Sequence, residues 1–239
     1  MKTRRLVIPL LLASSLLGHA AEVIYQPVQN PATVPTPKDD WFVTVQGKFT
    51  RYGDKPADIV FDGDSITNRW EVAGKEMWAR YADRAADFGI EGDRTENLLW
   101  RLQKGQLDGV NPKLVVLMIG TNNVARGNTA EQIAAGIKEI VNAYKTRCPQ
   151  AHIVIMAVFP RGKTSADPAR QKVEAINTII KSLDDGDRVS FVDIGPKMIE
   201  TDGTLAPEMA PDALHPTAKG YVIWADAIQP FVDKYAPKG

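Results

Sequence analysis

The densest chemistry in the chain lies in IVFDGDSITNRW, residues 59–70, where an apolar run passes straight into Asp62, Gly63, Asp64 and Ser65. A serine hydroxyl attacks an ester carbonyl only when a neighbouring base takes its proton and donors await the oxyanion that forms. The base to look for is a histidine, and there are three. His19 falls in a leucine-rich N-terminus, His152 opens an apolar run, and His215 stands in PDALHPTAKGY ahead of a final amphipathic segment. His215 is therefore the candidate base. Asp212, three residues earlier, is the candidate carboxylate to orient its imidazole. Taken alone, each of these has a plainer role: Ser65 as a helix cap, Gly92 as a turn glycine, Asn122 as an Asx turn, and 212–217 as a polar loop opening a helix at Thr217.

Residues 65 and 215 can meet only on a scaffold that returns the chain to one edge. From about residue 55, short apolar runs alternate with longer amphipathic stretches, the pattern of βαβ units and a doubly wound parallel sheet. Strands are expected at 59–61, 87–90, 114–119, 153–159 and 189–192. Between them Ile133, Ile137, Ile140, Val141 and Tyr144 recur at helical spacing, as do Val173, Ile176, Ile180 and Leu183. Thr129 with Gln132 makes a capping box for the first of these helices. Tyr221, Ala225, Ile228, Val232 and Tyr235 mark a last one. Ligands of open parallel sheets bind beyond the carboxyl ends of the strands. Ser65, Gly92 and the loop 120–123 each follow an expected strand, so three polar loops should share one rim.

The chain has 239 residues, 44% of them hydrophobic, enough for one substantial core. Basic and acidic residues number 29 each, so no broad basic surface points to nucleic acid. Lys2, Arg4 and Arg5 precede a leucine-rich stretch ending in small residues, which reads as a secretory signal over 1–21. Export to the periplasm or medium is the expectation, with no stable membrane insertion once the signal is removed. Residues 22–54 read as an arm or linker, since 26–40 carry four prolines and no apolar periodicity. The domain proper is expected over 55–239. Cys148 is the lone cysteine, so the fold must stand on packing.

Four blocks, GDSITNRW, GIEGDRTENLLWRL, VVLMIGTNN and DALHPTAKGY, resemble in order and spacing those of the SGNH branch of the GDSL esterases and lipases. Within that branch the likeness runs to the catalytic subunits of the intracellular platelet-activating-factor acetylhydrolases. It covers nearly all of residues 55–235. The resemblance implies a three-layer α/β/α sandwich on a five-stranded parallel sheet, flavodoxin-like in order. It further implies Ser65 as nucleophile, Asp212 and His215 as its partners, and an oxyanion hole built from the Ser65 and Gly92 N–H groups and the Asn122 side-chain amide. Acyl transfer through an acyl-enzyme, without metal or cofactor, follows. Asp62 departs from the family, where a small or apolar residue is common; an acid there would either disfavour the oxyanion or point to solvent.

The expected substrate is a short-chain ester, acetyl first of all, with an acetylated carbohydrate as one possible carrier. Longer acyl esters are the alternative. A second reaction class is raised by FDGDSI, which also looks like the D-x-D turn of magnesium-dependent phosphatases, with Asp62 as nucleophile and Asp64 as acid. It lacks a later acidic pair on the same rim, since LDDGD at 183–187 precedes a strand. A noncatalytic binding domain is the third reading. Trp70, Tyr81 and Trp100 are candidates for a substrate groove or for the core, and Arg161 and Lys163 for substrate contacts.

Overall fold

The computed structural model describes residues 29–38, 42–53 and 55–238. The apolar runs become five parallel strands, β1 (Ile59–Gly63), β2 (Ala85–Asp87), β3 (Leu114–Met118), β4 (His152–Met156) and β5 (Val189–Val192). Their order is β2-β1-β3-β4-β5. Strand β1 thus lies between β2 and β3, with Ile59 opposite Ala85 and Gly63 opposite Met118. The chain reverses its winding there, which opens the crevice in which such sheets bind ligands.

Nine α-helices complete the described residues: α1 (Phe42–Tyr52), α2 (Ser65–Asn68), α3 (Lys75–Trp78), α4 (Thr95–Gln103), α5 (Thr121–Arg126), α6 (Ala130–Arg147), α7 (Pro168–Ile180), α8 (Gly195–Met198) and α9 (Ala218–Tyr235). Alternate strand residues feed two separate cores, as a period of two requires. On one face Val60, Val115, Leu117 and Ile153 pack with Leu98, Ile137 and Ile176 from α4, α6 and α7. On the other, Phe61, Val116 and Val154 pack with Ile66, Trp70, Tyr221 and Trp224 from the α2 and α9 side. The result is a three-layer α/β/α sandwich. With both faces covered, β1, β3 and β4 are buried throughout, which is why they read as continuous apolar runs.

Helix α6 begins where its capping box predicts. The Gln132 N–H donates to Thr129 Oγ1 at 3.2 Å and the Thr129 N–H to Gln132 Oε1 at 3.0 Å. Strand limits differ more. The second strand covers Ala85–Asp87 rather than 87–90: its pairing with β1 starts earlier, at Ala85 opposite Ile59, and beyond Asp87 the Phe88 and Ile90 N–H groups still donate to the Phe61 and Gly63 carbonyls at 2.8 and 3.2 Å while Asp87 Oδ1 accepts the Gly89 N–H at 2.7 Å. The fourth ends at Met156, before 159, because the Asn177 side-chain amide takes over both the N–H and the carbonyl of Val158, at 2.8 and 2.9 Å.

The segment expected as an arm is packed where it is described. Residues Pro31–Thr33 form a 3-10 turn, and α1 forms where no helix was expected. Phe49 and Tyr52 of α1 set their rings edge-on to Phe88, at 6.4 and 5.6 Å. The helix was hard to read because FVTVQGKFTRY holds four β-branched residues and a central glycine, all weak helix formers. The expected signal, 1–21, lies outside the described residues.

Candidate active site

Strand β1 delivers Ser65 through a turn that only glycine can make. A Cβ on Gly63 would lie 2.0 Å from the Met118 carbonyl oxygen and 2.4 Å from Thr67 Oγ1. The following residue, Asp64, is the helix cap, its Oδ1 accepting the Ile66 N–H at 2.9 Å. Ser65 therefore does not cap α2 but begins it, and its hydroxyl is left for other partners. Burial pushes the Asp64 carboxyl up to about 7, and its Oδ2 has no hydrogen-bond partner.

Helix α9 brings the histidine. Asp212 Oδ1 accepts the N–H groups of Leu214 and His215 at 3.1 and 2.7 Å, folding 212–215 into a tight Asx turn. Ala213 takes a left-handed φ of 57° within it, a strain of about 1–2 kcal/mol. Tyr221, one turn into α9, donates its hydroxyl to the Ile66 carbonyl at 2.7 Å while its ring packs against Trp70. This clamps the start of α9 onto α2. Ser65 Oγ then lies 3.0 Å from His215 Nε2, and His215 Nδ1 lies 2.6 Å from Asp212 Oδ2.

The polarity of that line follows from its end. With Nδ1–H donating to the carboxylate, Nε2 is the acceptor for the serine proton. Burial raises the Asp212 carboxyl, but its bonds from the His215 side chain and backbone outweigh this and hold it below the usual carboxylate range. The carboxylate therefore stays charged beside an imidazole that becomes cationic when it takes a proton. Hydroxyl, imidazole and carboxylate in this arrangement can generate a nucleophile.

Gly92 and Asn122 reach the same rim. The Asp93 N–H bonds to the Ile90 carbonyl at 3.1 Å across Glu91 and Gly92, and Gly92 adopts φ of +75°. Asn122 Nδ2 donates to the Asp93 carbonyl at 2.9 Å, which ties the third loop to the second. Among the described residues no acceptor takes the Ser65 or Gly92 N–H.

Behind the rim sits a group of residues that the sequence reading did not connect. Arg101 of α4, fully buried, donates from Nη2 to Asp62 Oδ1 at 2.9 Å and from Nε to Asp93 Oδ2 at 2.8 Å. Gln106 and the Tyr144 hydroxyl also bond to Asp62. Asp62 thus neither points to solvent nor faces the oxyanion site; it anchors Arg101. That correction also removes the phosphatase reading, whose nucleophile would be buried and engaged. Burial pushes Asp93 up to about 6, against the pull of Arg101. Asn123, also fully buried, bonds to the Thr95 N–H and Glu96 and so fixes α5 against α4. The second asparagine of GTNN was the available hint.

Trp70 and Tyr81 are core residues, and Trp100 is half-buried beside Ile90. Arg161 donates to the Thr121 carbonyl at 2.6 Å, while Lys163 is exposed. Both line an open groove of about 710 Å³ that reaches Asp212 and Leu214 and is walled largely by polar and small residues such as Thr164, Ala166 and Asp167.

Comparison with known proteins gives concordant results. Residues 61–223 match the model of the GDSL-like lipase/acylhydrolase family. The chain is 36% identical over 200 residues to the platelet-activating factor acetylhydrolase IB subunit alpha1 of Homo sapiens, spanning 81% of this chain and 85% of that one. A GDSL-like lipase from Bacteroides thetaiotaomicron superposes with a TM-score of 0.68 at 21% identity, covering 81% and 97% of the two chains. A catalytic variant of an acetylxylan esterase from Geobacillus stearothermophilus superposes with a TM-score of 0.59 at 19% identity, covering 77% and 97%.

Proposed function

This chain belongs to the GDSL-like lipase/acylhydrolase family and is a carboxylic ester hydrolase, and we propose that it is an exported serine esterase that removes short acyl groups, acetyl foremost, from hydroxylated carriers such as carbohydrates. Ser65 is the nucleophile, His215 the general base and then acid, and Asp212 the orienting carboxylate. One observation carries this reading: the unbroken line from Ser65 Oγ through His215 to Asp212, at 3.0 and 2.6 Å.

The reaction proceeds in two steps. His215 takes the Ser65 proton as Oγ attacks the ester carbonyl. The tetrahedral oxyanion is held by the N–H groups of Ser65 and Gly92 and the amide of Asn122. Protonated His215 then gives its proton to the departing alcohol, leaving an acyl-serine. Water, activated by the same imidazole, releases the acid.

A short acyl group is supported by likeness to an acetylhydrolase subunit. Export is supported by the basic and leucine-rich first 21 residues. The test is hydrolysis of p-nitrophenyl esters from acetyl to decanoyl by the wild type and Ser65→Ala. Loss of turnover in the variant, with wild-type kcat/KM falling beyond butyryl, is expected. Retained turnover in Ser65→Ala would remove the nucleophile assignment, and a preference for decanoyl would replace the short-acyl reading by a lipase one.

A further inference from the structure

The residues before β1 lie outside the family match, yet they are wrapped around the loop that carries Gly92. The Ala32 carbonyl accepts the Thr95 hydroxyl at 2.8 Å, the Thr36 N–H donates to the Glu96 carbonyl at 3.1 Å, and Asn97 Nδ2 donates to the Thr36 carbonyl at 2.9 Å. This strap ends, among the described residues, at Lys38. Its ammonium donates to the Glu91 carbonyl at 2.6 Å and sits so close to Gly92 that a Cβ there would lie 2.9 Å from it.

The identity of that carbonyl matters, because the Glu91 C=O and the Gly92 N–H belong to one peptide group. The turn from Ile90 to Asp93 has a positive φ at Gly92, and Ala213 is the only non-glycine with positive φ among the described residues. That combination is type II rather than type I′, in which Glu91 would also need positive φ. Types I and II differ mainly by a flip of the central peptide, here Glu91–Gly92. In a trans peptide the N–H points away from the C=O. A cation held on the carbonyl therefore fixes the N–H toward the opposite side and, by polarising the amide, makes it a better donor.

We infer that Lys38, delivered by the N-terminal strap, is a positioning residue for the oxyanion hole: it holds and polarises the Glu91–Gly92 peptide so that the Gly92 N–H meets the developing negative oxygen. The inference rests on the serine-esterase reading above. Its benefit appears only when the oxyanion forms, so it acts on kcat and leaves ground-state binding nearly unchanged.

Lys38→Met and Lys38→Arg test it with p-nitrophenyl acetate, together with inhibition by a trifluoromethyl ketone that mimics the tetrahedral intermediate. Deleting an oxyanion donor costs about 10²–10³ in kcat, and weakening one that stays in place should cost less, about 3–10-fold. Lys38→Met is expected to show that fall in kcat with KM within about 2-fold, and a matching rise in the ketone inhibition constant. Lys38→Arg, which keeps a charged donor, is expected to recover most of both. A kcat for Lys38→Met within about 1.5-fold of wild type would overturn the inference, as would a defect confined to KM or one that arginine does not repair. If Ser65→Ala is inactive and Lys38→Met is not slowed, this inference alone falls; if Ser65→Ala stays active, the esterase reading falls with it.

Discussion

Replacing Arg101 by methionine keeps the length and bulk of the buried side chain but removes the one charge that joins Asp62 to Asp93. Both carboxylates are fully buried. Removing one partner of a buried pair costs about 3–5 kcal/mol, and Asp62 should be at the low end because Gln106, Tyr144 and the Gly63 N–H still donate to it. Asp93 can respond by keeping a proton. Since burial has already raised it to about 6, staying neutral at pH 7 costs about 1.4 kcal/mol relative to the paired, ionised form. The two shares together come to roughly 4–5 kcal/mol. At about 2–4 °C per kcal/mol for a domain of this size, the midpoint of thermal unfolding should drop by about 8–20 °C at pH 7.

The pH dependence gives the sharper check. A carboxyl whose folded pKa is raised contributes stability that is full below the unfolded value and is lost as pH rises through the folded one. In the wild type that loss stops near pH 6, where paired Asp93 ionises; without Arg101 it continues to higher pH. The gap between variant and wild type should therefore shrink by about 1.4 kcal/mol, or about 3–5 °C, on going from pH 7 to pH 5. Melting both proteins by circular dichroism at the two pH values measures it. A drop under about 3 °C at pH 7, or a gap that widens toward pH 5, would refute the role given to Arg101.

Other consequences concern the rim itself. Asp212→Asn keeps an acceptor for the Leu214 and His215 N–H groups but loses the charge, so kcat on p-nitrophenyl acetate should fall by about 10³–10⁴ with little change in melting temperature. Asn122→Ala removes the amide proposed as an oxyanion donor and its tie to Asp93, so steady-state kinetics should show kcat about 10²–10³ lower with KM much less affected. Asp64→Asn preserves the cap on Ile66 but cannot ionise. Wild-type stability should fall as pH rises from about 4 toward about 7 and level off once Asp64 is ionised, so the variant should gain melting temperature relative to wild type between pH 5 and pH 7 and gain little more above it.

The parallel sheet was legible because its strands are buried on both faces and so read as unbroken apolar runs, and α6 because Thr129 and Gln132 announce its start. Strand ends were less so: the Asn177 side chain takes the backbone bonds of Val158, and β2 begins its pairing two residues early, at Ala85, neither of which an apolar pattern reveals. Ser65, Asp212 and His215 stood out by residue type and by their place after a strand or before the last helix, Gly92 and Asn122 by the family resemblance, and the fold gathers them on one rim. What local spacing cannot carry is partnership at a distance. Asp62 meets Arg101 across 39 positions and Tyr144 across 82, so an acid beside Ser65 whose direction the sequence left open is the buried end of a bridge between two loops. The segment around Lys38 misled for a related reason, since prolines and absent periodicity mark a chain without its own regular structure whether or not it packs against another loop.

The central claim is that the Ser65 hydroxyl is made reactive by the His215 imidazole, and covalent labelling with a fluorophosphonate reads that reactivity without any assumption about substrate. Wild-type protein should take up one equivalent, mapped by mass spectrometry to Ser65, and His215→Ala should label at least about 10³-fold more slowly. Equal labelling rates in the two proteins, or an adduct on a different residue, would contradict it.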